Sequence, residues 1–177
     1  MISAKARLTR RDKMLHQVSS LRDTKPPSDP AICTRCNAIW HKGNWSLDPA
    51  VRRATLRWQS PVKALCPACR QIREDNPAGI LYLAGSYFWQ NRSQILQCIQ
   101  NSERNALQKN PLERIIHTDW GPKETFLIET TSEKLARRLG RAVHRAHHGH
   151  LEIRFSDDDH LVRVYWHRNL EESSTHA

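Results

Sequence analysis

The spacing C-x2-C-x29-C-x2-C, formed by "CTRC" at 33–36 and "CPAC" at 66–69, constrains this chain more than any other feature. A two-residue gap turns the backbone so that two sulfurs face one point. Two such knuckles supply four thiolates, enough to close a tetrahedral metal shell with no position left for water or substrate. Disulfides and thioredoxin-like redox exchange are the competing chemistries for paired cysteines. Disulfides need an oxidising compartment, and the opening "MISAKARLTRRDKML" lacks the apolar stretch of a secretory signal. A redox motif is a single CxxC within a βαβ pattern, not two in a short irregular segment. The expectation is one structural Zn2+ per chain, held by Cys33, Cys36, Cys66 and Cys69. The 29-residue insert has room for a helix, and "DPAVRRATLRW" at 48–58 is the candidate, with Pro49 near its start. His41 could replace one ligand in a variant site but reads as a surface residue, and Cys98 reads as a small core residue.

Charge explains the neighbourhood of the knuckles. The 177 residues carry a formal net charge of +10 with a mean hydropathy of −0.70. Residues 1–25 hold seven Lys/Arg against two acids, and residues 31–76 hold eight against three. The middle of the chain is balanced, the segment 132–150 is basic again, and 151–177 is acidic. Separate basic clusters around a neutral centre suit a polyanion, whereas a generally basic soluble surface would suit none in particular. No apolar run approaches the length of a membrane span, so a soluble, cytoplasmic protein without a membrane partner is expected.

Along the chain, residues 1–30 read as a basic flexible arm and a proline-rich linker, and 31–76 as the zinc-ribbon module. Residues 77–111 read as a strand, "AGILYLAGSYFW", and a connecting helix with Ile95, Cys98, Ile99, Ser102 and Ala106 on one face. Residues 112–169 have the rhythm of a ββαββ domain, and 170–177 read as a disordered tail. In that domain "TTSE" has the form of a capping box, with Thr130 as N-cap and Glu133 at N3. The helix that follows runs to Gly149 over a stripe of Leu135, Leu139, Ala142, Val143 and Ala146. The fold class is therefore α+β: a small four-cysteine zinc ribbon followed by an antiparallel ββαββ sheet-plus-helix domain.

Lys134, Arg138, Arg141, Arg145 and His148 step by three or four along that helix, opposed on it only by Glu133, and suit phosphate contacts. Arg10 and Arg11 in the arm, and Lys42, Arg52 and Arg53 in the ribbon, complete the candidate nucleic-acid-binding set. Trp40 and Trp45 beside Lys42 fit base stacking, and fit equally well a role as packing over the metal. His144, His147, His148 and His150 cluster at the helix end, where interaction with the helix dipole competes with a second metal. "DDD" at 157–159 reads as a polar turn rather than a cation site. There is no Walker A, GxGxxG or GxSxG sequence, so no ATPase or serine hydrolase is supported, and no catalytic residue is assigned.

From about residue 5 to 168, "CTRCNAIWHKGNW", "CPACRQIREDNPAGILYLAG", "NPLERI" and "TTSEKLARRLGRAVHRAHHG" together resemble a family of small proteobacterial proteins with paired CxxC zinc knuckles. More distantly, the knuckles and the strand–helix unit resemble the archaeal and eukaryotic adaptor that exports the large ribosomal subunit. That resemblance implies a zinc-bearing, ribosome- or rRNA-binding protein, with only the four cysteines carried over as ligands. The leading expectation is a non-enzymatic RNA-binding protein. The alternatives are a protein–protein adaptor using the ribbon and sheet face, and an enzyme with a histidine-based metal site.

Overall fold

The computed structural model describes residues 28–122, 124–156 and 161–170. Arg10 and Arg11, the basic arm as far as residue 27, the "DDD" turn and residues 171–177 lie outside the described residues.

Strands β1 (Ala31–Cys33), β2 (Ile39–His41), β3 (Asn44–Ser46) and β4 (Val62–Ala64) form a small sheet in the order β3-β2-β1-β4. Helix α1 (Pro49–Trp58) is the insert helix expected from "DPAVRRATLRW". Its N-cap Asp48 accepts from the Ala50 amide at 2.7 Å, and Pro49 occupies the first turn, where a missing N–H costs nothing. Helix α2 (Pro67–Glu74) leaves directly from the second knuckle, with Cys66 as its N-cap.

A second sheet contains β5 (Gly79–Ala84), β6 (Ile115–Trp120), β7 (Phe126–Thr130), β8 (His150–Phe155) and β9 (Val162–His167). Its order is β6-β7-β5-β9-β8, with β5 parallel to β9 and every other pair antiparallel. The class is α+β, but the ββαββ unit is completed by a strand from outside it. β5 sits at the centre, so the sheet is five-stranded and mixed rather than four-stranded and antiparallel. Alternation decides this: Leu81 and Leu83 are buried, while Ile80 and Tyr82 on the other face are only partly so. The stretch "SYFWQ" leaves the strand as helix α3 (Ser86–Gln90), not as more strand, and buries Phe88.

Helices α4 (Arg92–Lys109) and α5 (Glu133–His147) pack together, and α5 lies on the sheet face that carries Leu81, Val164 and Trp166. α4 buries Ile95, Ile99 and Ala106, as its periodicity predicts. On α5 the buried stripe is Leu135, Ala136, Leu139, Gly140 and Val143, whereas Ala146 is exposed. Its N-cap is Ser132, which accepts from the Leu135 amide at 3.0 Å. Thr130 ends β7 instead, and its hydroxyl lies within donating reach of two carbonyls, Gly79 at 3.0 Å and Ser132 at 2.9 Å. Strand pairing takes up Thr130, the expected cap, and leaves the role to Ser132.

Gly140 sets how closely α5 approaches the sheet. A Cβ there would lie 2.5 Å from Val164 Cγ1 and 3.2 Å from Leu151 Cδ1. Gly140→Ala is expected to cost at least ~1 kcal/mol through overpacking, read as a fall in the thermal midpoint. An unchanged midpoint would mean that the helix can lift without loss.

Candidate metal centre

The first knuckle turns between β1 and β2, where the Asn37 amide donates to the Cys33 carbonyl and Asn37 takes a positive φ of 60°. The second is the N-terminal turn of α2. Register between parallel β1 and β4 sets Cys33 opposite Ala64 and so brings Cys66 beneath Cys33. The sulfurs of Cys33, Cys36, Cys66 and Cys69 all lie within 4.8 Å of one another. The sulfurs of Cys36 and Cys66 stand 3.7 Å apart across the two knuckles. That separation is far beyond a disulfide of about 2.05 Å. Backbone amides of Cys66 and Cys69 point at the sulfurs of Cys33 and Cys66, each at 3.4 Å. Four clustered thiols lined by amide donors can hold a metal ion.

The electrostatics of the cluster favour a thiolate at Cys36 and hold the proton on Cys66 and Cys69. The Cys66 thiol aimed at Cys36 holds the Cys36 pKa down at about 4, against the opposing effect of burial. The same contact, with burial, pushes Cys66 up, and burial raises Cys69 to about 11. Arg114 approaches from the sheet domain, with Nη1 3.6 Å from the Cys69 sulfur. Burial works against its charge, but contact with Cys36 and its sulfur neighbours raises its pKa. Arg114 also donates through Nε to the Pro111 carbonyl at 2.7 Å, and its backbone pairs with Thr131. Its place within "NPLERI" gave no sign of this role, because the contact crosses from one sheet to the other.

Trp45 is buried over the cysteines and Trp40 half-buried beside it, ring centroids 5.7 Å apart. Packing over the four cysteines thus accounts for Trp45 in full and Trp40 in part. His41 is bound to Asp29 at 2.9 Å, and the charge-assisted contact holds the Asp29 pKa below its ordinary value.

The nucleic-acid-binding candidates among the described residues differ in what they face. Lys42 is exposed in the β2–β3 turn, and Arg52 and Arg53 are exposed on α1. Lys134 and Arg138 instead reach Glu113 at 3.5 and 3.0 Å, a carboxylate only 2% exposed. Glu113 lies twenty-one or more positions from its partners, so the helix sequence by itself could not show this opposing charge. Arg141 and Arg145 are exposed on α5 and form no ion pair among the described residues. Missed altogether was Trp58, 77% exposed at the end of α1, with the Arg57 guanidinium 5.1 Å from its ring centre. The sheet face of the adaptor alternative is the one turned away from α4 and α5, where Tyr82 and Tyr165 stack at 4.7 Å. At the end of α5, His147 packs edge-on against Tyr87 and His148 caps the helix, and the four histidines there assemble no group of three metal-capable side chains. No helix among the described residues is long and apolar enough to cross a membrane.

No family model, curated protein or solved structure matches the chain.

Proposed function

We propose that this chain is a zinc-bearing, non-enzymatic RNA-binding protein of the cytoplasm that acts on ribosomal particles or other structured RNA. Zinc suits the four-thiolate centre. A tetrahedral ion with Zn–S bonds of about 2.3 Å sets its sulfurs about 3.8 Å apart, close to the 3.7 Å between Cys36 and Cys66. Four protein ligands fill the shell, so the ion would fix the module and carry no reaction.

Helix α1 carries the RNA reading. It buries only Thr55, and presents Arg52, Arg53, Arg57, Leu56 and Trp58 to solvent without an acid in the helix. A helix that buries so little draws little stability from the core. Cations interleaved with an exposed indole match a phosphate backbone with splayed bases, the form in which RNA is read. The exposed Arg141 and Arg145 and the resemblance to the ribosomal export adaptor support the same reading.

The test is binding of the zinc-replete protein to a single-stranded oligoribonucleotide and to ribosomal particles across a salt series. Affinity is expected to fall steeply with salt. Replacing Arg52, Arg53 and Arg57 together by Ala should flatten the log–log slope by about 2, from three contacts at roughly 0.7 each. Equal slopes in the two proteins would remove α1 from the interface. If the chain sediments free of RNA even at low salt, the RNA reading fails and the protein–protein adaptor takes its place.

A further inference from the structure

Three metal-capable side chains meet at the edge of the second sheet, apart from the cysteines. Asp75 is the C-cap of α2, held in the left-handed conformation at φ 50° and ψ 48°. Glu129 lies on β7, opposite Ile80, and its side chain is 6% exposed. His117 lies on β6 at a bulge. Ile115 pairs with Thr130 and Thr118 with Ile128, so Ile116 and His117 together oppose Glu129 alone. An extra residue of this kind re-aims a side chain out of the regular pleat. The result is that His117 Nδ1 stands 3.3 Å from Asp75 Oδ1 and 3.5 Å from Glu129 Oε2. All three donor atoms lie within 4.8 Å of one another.

These separations decide between two readings. An imidazolium bound directly to carboxylates would close to about 2.7–2.9 Å. Donors around a shared ion, at bond lengths of about 2.0–2.2 Å, stand roughly 3.3–3.6 Å apart in a tetrahedral arrangement. Both distances to His117 Nδ1 fall in the second range. We propose that Asp75, His117 and Glu129 hold a second divalent first-row transition ion, with a coordination position open to water. One imidazole and two carboxylates form a harder donor set than four thiolates, so the two centres differ in the ions they prefer. Asp75 and His117 are both accessible to solvent, with side chains 58% and 36% exposed, which leaves the ion an entry path. The site joins the end of α2, whose other end holds Cys66 and Cys69, to the second sheet. Gln71 of the same helix already ties that end down, donating to the Thr131 carbonyl at 3.0 Å.

The test is optical titration of the full-length, zinc-replete protein with Co2+, which adopts zinc-like geometry and reports its ligands. One further equivalent is expected, giving visible ligand-field bands without the near-ultraviolet absorption of a cobalt–thiolate bond. Asp75→Asn is the decisive variant, because Asn tolerates the left-handed conformation and the position is exposed. It should weaken uptake by at least the ~10-fold that even outer partners of a metal site command. His117→Ala should abolish uptake, and His144→Ala should leave it unchanged. The proposal is overturned if no second equivalent is taken up, if that equivalent carries the thiolate band, or if Asp75→Asn binds Co2+ like the parent protein.

Discussion

Stripping the metal from the four-cysteine centre is expected to melt residues 31–76 and leave the five-stranded sheet folded. The buried cluster of the ribbon consists of Cys33, Ala38, Trp45, Cys66, Ala68 and Cys69, so half of its members are ligands. Its strands are three residues each, too short to hold together by ladder hydrogen bonds. Four thiols brought together without an ion leave little apolar area to offset the chain entropy of the module. Apparent binding free energies of structural zinc sites, about 10–16 kcal/mol, then become the folding free energy of this segment. The second sheet has its own core, running from Leu81 to Trp166, and shares none of those residues. Amide hydrogen exchange on the full chain, with and without a strong chelator, would read the two parts separately. Protection should vanish from 31–76 and persist in β5, β7 and β9, and Cys69→Ser should reproduce the chelated pattern. Protection that survives chelation in the ribbon would show that its small sheet stands without the ion.

What could be read from the sequence follows from how local each signal is. The ligand set was legible because a two-residue gap between cysteines is a short-range geometric statement, and the same residues meet in space. Helix α1 was legible from Asp48 and Pro49, which cap and start it within one turn. The centre of the sheet was not, because β5 pairs in parallel with β9 some eighty positions later, and no local pattern announces a crossover partner. For the same reason the ion pairs of Glu113, the reach of Arg114 and the meeting of Asp75, His117 and Glu129 lay hidden. Each joins elements far apart in the chain. The bulge that turns His117 is visible only as a slipped register between two strands. On α5 the expected stripe holds at Leu135, Leu139 and Val143 but is rotated toward Ala136 and Gly140 and away from Ala146, and the cap lies two residues later than expected because Thr130 is taken up by β7 pairing.

Arg114→Gln is expected to weaken metal binding at the cysteine centre by roughly 10- to 100-fold, the usual cost of losing an outer partner. A divalent ion with four thiolates carries a net charge of −2, and a guanidinium against the Cys69 sulfur offsets part of it. Glutamine retains most of the side-chain length and can still donate to the Pro111 carbonyl, so loss of packing would not explain a fall in affinity. Arg114→Lys should recover part of the loss. It restores the charge, but a single ammonium cannot contact Pro111 and a sulfur in the fixed fork that Arg114 uses. Competition against a chromogenic chelator measures the affinity, and the order Arg, then Lys, then Gln is the signature of a charge-based role. Three equal affinities would reduce Arg114 to a strut between the ribbon and the Thr131 end of β7. The sequence of losses also separates this residue from the ligands themselves: Arg114→Gln should leave the ribbon folded at saturating metal, where Cys69→Ser should not.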